Sequence, residues 1–138
     1  MRAAIIHSRQ PRVARLAKAL QEAFEDEGWQ AECLEAVGAE ERPRNLAAYD
    51  LVVVGAPAVG FLASKVGEDV PEYLGHCLRL EGKRSAAFIP KPTFGGGKAL
   101  RHLMAALEKQ GAQVLDFEIL SGAGDAGPFV KRLVAVAE

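Results

Sequence analysis

A chain of 138 residues, 49% apolar and 25% charged with a mean hydropathy of +0.03, has the profile of one globular domain, 1–138, that can bury a core without disulfides or metal. No apolar run approaches the roughly 20 residues of a membrane span, and Met1-Arg2-Ala3-Ala4-Ile5-Ile6 leads directly into His7 and Ser8 rather than a signal-peptide core, so the expectation is a cytoplasmic protein. A formal net charge of −1 points to neither nucleic acid nor a membrane surface as partner.

Strand Arg2–His7 opens the chain. A helix follows, with Val13, Leu16, Ala17, Leu20 and Phe24 on one face and Arg12, Arg15, Lys18 and Glu22 on the other; Pro11 suits its first turn and Gly28 its stop. Trp29, just past that stop, reads as an anchor of the next strand, Gln30–Leu34. Glu40-Glu41-Arg42-Pro43-Arg44 reads as a charged surface loop, and Leu46, Ala47 and Tyr49 as a helix of at most a turn or two. Leu51–Ala56 is apolar throughout, as a strand covered on both faces must be. A helix is expected over Ser64 to Leu78, starting in earnest at Pro71. Strand Ser85–Ile89, a helix marked by Leu100, Leu103, Met104 and Leu107 and ending before Gly111, strand Gln113–Leu120, and a closing helix with Phe129, Val130, Leu133 and Val134 complete the order. Five strands alternating with helices predict a three-layer α/β sandwich around a parallel sheet. Of the 14 glycines, all but Gly28 and Gly38 fall from Gly55 onward, mostly where apolar runs give way to loops.

Several familiar motifs fail on context. Gly122-Ala-Gly124-Asp-Ala-Gly127 satisfies G-x-G-x-x-G, but no second strand with a ribose-binding acid can follow it; it reads as a flexible connection into the last helix. Phe94-Gly95-Gly96-Gly97-Lys98-Ala99 suggests a phosphate loop, yet Pro92 stands where the Walker pattern needs Gly and Ala99 where it needs Ser or Thr. His7, His76 and His102 lack metal spacing, no metal site is expected, and no G-x-S-x-G elbow supports a hydrolase. His7 stands out because the end of a first strand is where α/β sites open. Cys33 and Cys77 lie far apart and read as small buried hydrophobes.

Charge is more informative. Ser8–Gln21, Gly55–Gly67 and Gly82–Leu107 contain none of the 18 acidic residues but ten of the 17 basic ones. Each stretch includes the loop at the C-terminal end of a strand. In a sheet ordered 2-1-3-4-5 the first, third and fourth strands are adjacent and the ligand crevice lies beyond their C-terminal ends. Lys83 and Arg84 precede their strand and belong at the opposite end. The remaining basic residues point to a site for a small anionic ligand.

At these residues the chain resembles the flavodoxin-like family over nearly its whole length. Tyr49-Asp50-Leu51-Val52-Val53-Val54-Gly55-Ala56-Pro57 looks like that family's third strand and turn, Leu80 to Phe88 like the start of its fourth strand, and Phe94 to Leu100 with Gly111 to Val114 like its glycine loop and fifth strand. The resemblance implies flavin mononucleotide (FMN) held by three loops. In the first, the family's Ser/Thr-x-Thr-Gly-x-Thr corresponds to Ser8-Arg9-Gln10-Pro11-Arg12-Val13: only Ser8 is kept, Pro11 removes an N–H, Val13 removes a hydroxyl, and Arg9 or Arg12 would supply charge instead. The second loop, Pro57-Ala58-Val59-Gly60, lacks the usual stacking aromatic, which Phe61 replaces only if the loop is rearranged. The third, Pro90-Lys91-Pro92-Thr93-Phe94-Gly95-Gly96-Gly97, keeps one aromatic, Phe94, and lacks an acidic cluster.

Two functions follow. In the first, Ser8, Arg9, Gln10 and Arg12 hold the FMN phosphate, with Val13 in the same cofactor-binding loop, while Pro57 to Gly60 and Pro90 to Gly97 frame the ring. The protein is then an electron carrier, with a redox partner protein, or a small flavin-dependent oxidoreductase, and needs no catalytic acid or base of its own. In the second, a flavodoxin-like module has lost flavin and binds another small anion or a protein partner at the same basic mouth. A receiver-like signalling domain would need acids where His7 and Ser8 stand.

Overall fold

The computed structural model describes residues 1–38 and 42–138, so Glu40 and Glu41 of the charged loop lie outside the described residues. The chain runs β1 (Arg2–His7), α1 (Pro11–Asp26), β2 (Gln30–Glu35), β3 (Leu51–Gly55), β4 (Ala58–Val59), β5 (Lys65–Val66), α2 (Asp69–Gly75), β6 (Arg84–Pro90), α3 (Gly97–Lys109), β7 (Gln113–Leu120) and α4 (Ala126–Ala137). Five strands form a parallel sheet ordered β2-β1-β3-β6-β7. Since β6 and β7 are its fourth and fifth strands, this is the expected 2-1-3-4-5 order. The register pairs His7 with Gly55 and Gly55 with Phe88, so β1, β3 and β6 end side by side.

Alternation along the strands divides the apolar residues between two layers. Ile5, Leu51, Val53 and Phe88 pack with Leu20, Phe24, Phe129 and Leu133 of α1 and α4. Ile6, Val52, Val54 and Ile89 pack with Val70, Leu74, Leu103 and Leu107 of α2 and α3. Every residue of β3 is buried, the physical requirement behind its unbroken apolar run.

Helix α1 stops by a Schellman motif. Gly28, at φ +82°, donates to the Glu25 carbonyl, and Trp29 donates to that of Phe24, both at 3.0 Å. The Trp29 ring then packs on Phe24 with centroids 5.4 Å apart, and its Nε1 donates to Glu138 Oε1 at 3.2 Å. Trp29 is thus a buried anchor where α1 passes into β2.

Three segments differ from expectation. The helix expected over Ser64–Leu78 is confined to Asp69–Gly75; Lys65–Val66 instead pairs antiparallel with Ala58–Val59. Gly60 at φ +81° allows the reversal between those two short strands. Around Leu46 there is a turn rather than a helix, because the Ala47 N–H donates to the Asn45 side chain at 2.9 Å, an Asx-turn bond that competes with helix. The connection around Gly124 contains a turn of 3-10 helix, Ala123–Asp125, steadied by the Ser121 N–H donating to Asp125 Oδ2 at 2.7 Å.

Candidate functional site

The first loop begins on a buried floor. Ser8 is buried, its N–H donates to the Gly55 carbonyl at 3.1 Å, and His7 Nδ1 donates to the Ser8 carbonyl at 2.8 Å. Arg9 leans toward Glu35 at the end of β2, 3.9 Å away, on the side of β1 opposite β3. Gln10 caps α1, its Oε1 accepting from the Val13 N–H at 2.9 Å. The Arg12 guanidinium donates to the carbonyls of Lys91, at 2.7 Å, and Ser121, at 3.4 Å. The Val13 side chain is fully buried in the α1/α4 layer and offers no ligand contact.

The second loop is rebuilt as a hairpin. Pro57 and Ala58 are half-buried, Val59 and Gly60 are exposed, and a 3-10 turn at Phe61–Ala63 leads into β5. Leu62 (φ 57°) and Ala63 (φ 51°) both take the left-handed conformation, a strain of about 1–3 kcal/mol per residue that surrounding structure must hold in place. Part of that hold comes from α3, because the Val66 N–H donates to His102 Nδ1 at 3.0 Å. In this hairpin Phe61 is 85% exposed beside the mouth.

In the third loop Pro90 is buried at the end of β6, Lys91 and Thr93 are exposed, and Phe94 is 57% exposed. Gly95 (φ 71°) and Gly96 (φ 108°) turn the chain into α3, which begins at Gly97. A Cβ on Gly95 would lie 3.6 Å from the Leu62 carbonyl oxygen, so the second and third loops approach each other here.

Between them is a cleft of about 620 Å³ lined by Phe61, Leu62, Phe94, Gly96, Lys98 and Arg101, among others. A cavity of about 560 Å³ at the opposite end of the sheet is similar in size, but mixed charges line it: Asp50, Arg79, Glu81, Lys83 and Arg84. Volume does not separate the two. Apolar and aromatic walls, a strained loop and a place beyond the C-terminal strand ends favour the first. Lys83 and Arg84 belong to the far end as expected, donating to the carbonyls of Tyr49 and Ala137.

The arrangement therefore separates the residues expected to share one ligand. Phe94 and Gly95 to Gly97 line the cleft, while Pro57 to Gly60 lead into its wall without lining it; Gln10 and Arg12 are hydrogen-bonded elsewhere, and Arg9 is exposed and leans toward Glu35. Leu62 to Ser64, Lys98, Arg101 and His102 complete or support the cleft and were not among the expected site residues. Lys98 and Arg101 carried a signal, as members of the acid-free stretch; a left-handed Leu-Ala pair carried none.

Tested against FMN, the chain fits one half of the group. The cleft offers two exposed aromatic side chains and enough volume for a planar ring. The first loop does not fit the phosphate: Pro11 has no N–H, the Val13 N–H is capped by Gln10, and the Arg12 guanidinium is held toward the Lys91 and Ser121 carbonyls by two of its five N–H groups. Among the described residues no cluster of three or more His, Cys, Asp or Glu side chains is placed to hold a metal ion. Cys33 and Cys77 are free and half-buried, and burial pushes the Cys77 thiol up to about 11, far from a reactive thiolate. No helix among the described residues is long and apolar enough to cross a membrane.

No protein-family model and no curated protein matches the sequence. Solved structures match its fold. The chain is similar to the solution structure of two-electron reduced flavodoxin from Megasphaera elsdenii, with 21% identity, a TM-score of 0.72, and 99% of this chain and 98% of that one covered. It is similar also to the flavodoxin of Streptococcus pneumoniae TIGR4, at 17% identity and TM-score 0.74 with 99% of both chains covered. Oxidised flavodoxin 1 from Bacillus cereus matches at 17% identity and TM-score 0.70, covering 98% of both chains. With the sheet order and the flanking helices already established, these likenesses over nearly the full length give the chain the flavodoxin-like fold.

Proposed function

We propose that residues 1–138 act as one flavodoxin-like domain that binds the ring of a flavin, FMN being the first candidate, in the cleft between the second and third loops. The observation that carries this reading is the pair Phe61 and Phe94, both exposed and both lining an apolar cleft at the C-terminal end of the sheet. Exposed aromatics in such a place have a use when a planar group covers them. Lys98 and Arg101 add positive charge for an anionic ligand. A bound flavin supplies electron transfer or hydride chemistry; the chain's own residues supply the ring walls and shield the ring from water. A redox partner protein is the corresponding proposal for its electrons, and the unpaired cysteines are consistent with a reducing cytoplasm.

The test is titration of the purified protein with FMN. Quenched flavin fluorescence and a perturbed absorption band near roughly 450 nm are expected, with Phe61→Ala and Phe94→Ala each weakening binding by about three- to tenfold. Absence of binding at about 100 μM flavin defeats the reading.

A second reading, a module that has lost flavin and binds another small anion or a protein partner at the same mouth, is favoured by one observation: in the first loop Gln10 caps the helix end and Arg12 is bonded to the Lys91 carbonyl. It predicts no flavin binding. In a thermal-shift screen a phosphate, nucleotide or carboxylate would then stabilise the protein by about 2.7 kcal/mol at a hundred times Kd.

A further inference from the structure

The first loop, where the resemblance puts a phosphate, is built for another purpose. A phosphate in a loop before a helix needs several N–H groups converging on it. Here the helix begins with proline, which has none. The Val13 N–H donates to Gln10 Oε1 at 2.9 Å, the Ala14 N–H to the Gln10 carbonyl at 3.0 Å, and the Gln10 N–H faces Ser8 Oγ at 3.4 Å. From Gln10 to Ala14, only the Arg12 N–H has no partner among the described residues. A neutral carboxamide thus covers the end of α1.

The Arg12 side chain is bonded as well. Arg12 Nη1 donates to the Lys91 carbonyl at 2.7 Å and Nη2 to the Ser121 carbonyl at 3.4 Å. Lys91 and Ser121 directly follow β6 and β7, and the Lys91 N–H donates to the Leu120 carbonyl at 2.9 Å. One guanidinium therefore joins the first turn of α1 to both strand ends. Arg9 leans the other way, toward Glu35.

We propose that the first loop is a latch and not an anion site: Gln10 seals the end of α1, Arg12 fastens that helix to the ends of β6 and β7, and the loop reads no phosphate. Resting on the assignment of the Phe61–Phe94 cleft to a flavin ring, this gives the ligand class as a planar aromatic group recognised by its ring. Any discrimination between phosphorylated and unphosphorylated forms then owes nothing to Gln10 or Arg12.

The experiment compares FMN with riboflavin on the full chain and on Arg12→Ala and Gln10→Ala, with melting temperatures measured in the presence and absence of inorganic phosphate. The latch predicts that the ratio of FMN to riboflavin affinity changes by less than about twofold in either variant. It also predicts that Arg12→Ala lowers the melting temperature by about 3 °C or more, with or without phosphate. An FMN preference of about tenfold or more that collapses in Arg12→Ala or Gln10→Ala overturns the latch and leaves the cleft assignment standing. If neither flavin binds, the cleft assignment fails and the melting temperatures decide the latch. Equal responses to phosphate in the parent and Arg12→Ala support it, and stabilisation of the parent alone overturns it.

Discussion

Gly55 occupies a position that no other residue can take without displacing its neighbour. A Cβ there would sit 2.1 Å from Cζ of Phe88, whose ring is fully buried and has nowhere to move. Replacing glycine by alanine in a strand ordinarily adds about 0.5–1 kcal/mol; Gly55→Ala should instead destabilise by about 1–3 kcal/mol through overpacking. Denaturant unfolding checks this, and Phe88→Leu in the same chain should recover part of the loss because the two sites are in contact. Tyr49 and Glu32 form another pair readable at this scale. The Tyr49 hydroxyl donates to Glu32 Oε2 at 2.8 Å, and that bond first, with Arg2 assisting against desolvation, holds the Glu32 carboxyl below its ordinary value of 4.5. A carboxyl whose value is depressed by folding contributes stability that is present above its ordinary value and is lost as pH falls through the folded one. The melting-temperature gap between the parent and Tyr49→Phe should therefore be largest near neutral pH and narrow in acid, as scans at pH 7 and pH 3 would register.

At the scale of elements, α1 was legible because its signals are local. Pro11, the apolar face from Val13 to Phe24, and Gly28 followed by Trp29 each act within a few residues of where they stand, and the observed helix runs Pro11–Asp26. The segment from Ala58 to Val66 was not. Its two-residue strands are too short to show a period, and its conformation depends on His102, distant in sequence, accepting from the Val66 N–H. That contact also positions the strained turn carrying Phe61. His102→Ala should speed hydrogen exchange at the Val66 amide and weaken the proposed flavin binding while global stability changes little, because, of the hairpin's residues, only Val66 belongs to a core layer, with Ala58 packed against its margin. A loss of cooperative folding in this variant would instead make His102 part of the core's support.

At the scale of the molecule, one sheet separates two apolar layers, so neighbours along a strand have different surroundings. Ile5 packs against α1 and α4, and Ile6 against α2 and α3. Ile5→Val and Ile6→Val should each cost about 0.5–1.5 kcal/mol, and the double variant should equal their sum within about 0.5 kcal/mol. A larger coupling, measured by denaturant unfolding, would mean that strain passes through the sheet. The alternation of strands and helices and the two buried faces were legible in the chain, because burial on both faces of a parallel sheet writes unbroken apolar runs and helices write a repeating stripe; the 2-1-3-4-5 order came with the resemblance and is the order observed. What only the tertiary structure decided is how the loops are used. Arg12 is drawn to the Lys91 and Ser121 carbonyls, Gln10 folds over its own helix end, and Phe61 is carried to the cleft on a left-handed turn. The physical reason is range: periodicity and turn chemistry act over a few residues, whereas the partner that satisfies a loop side chain is chosen by whichever distant backbone the fold brings within hydrogen-bonding distance.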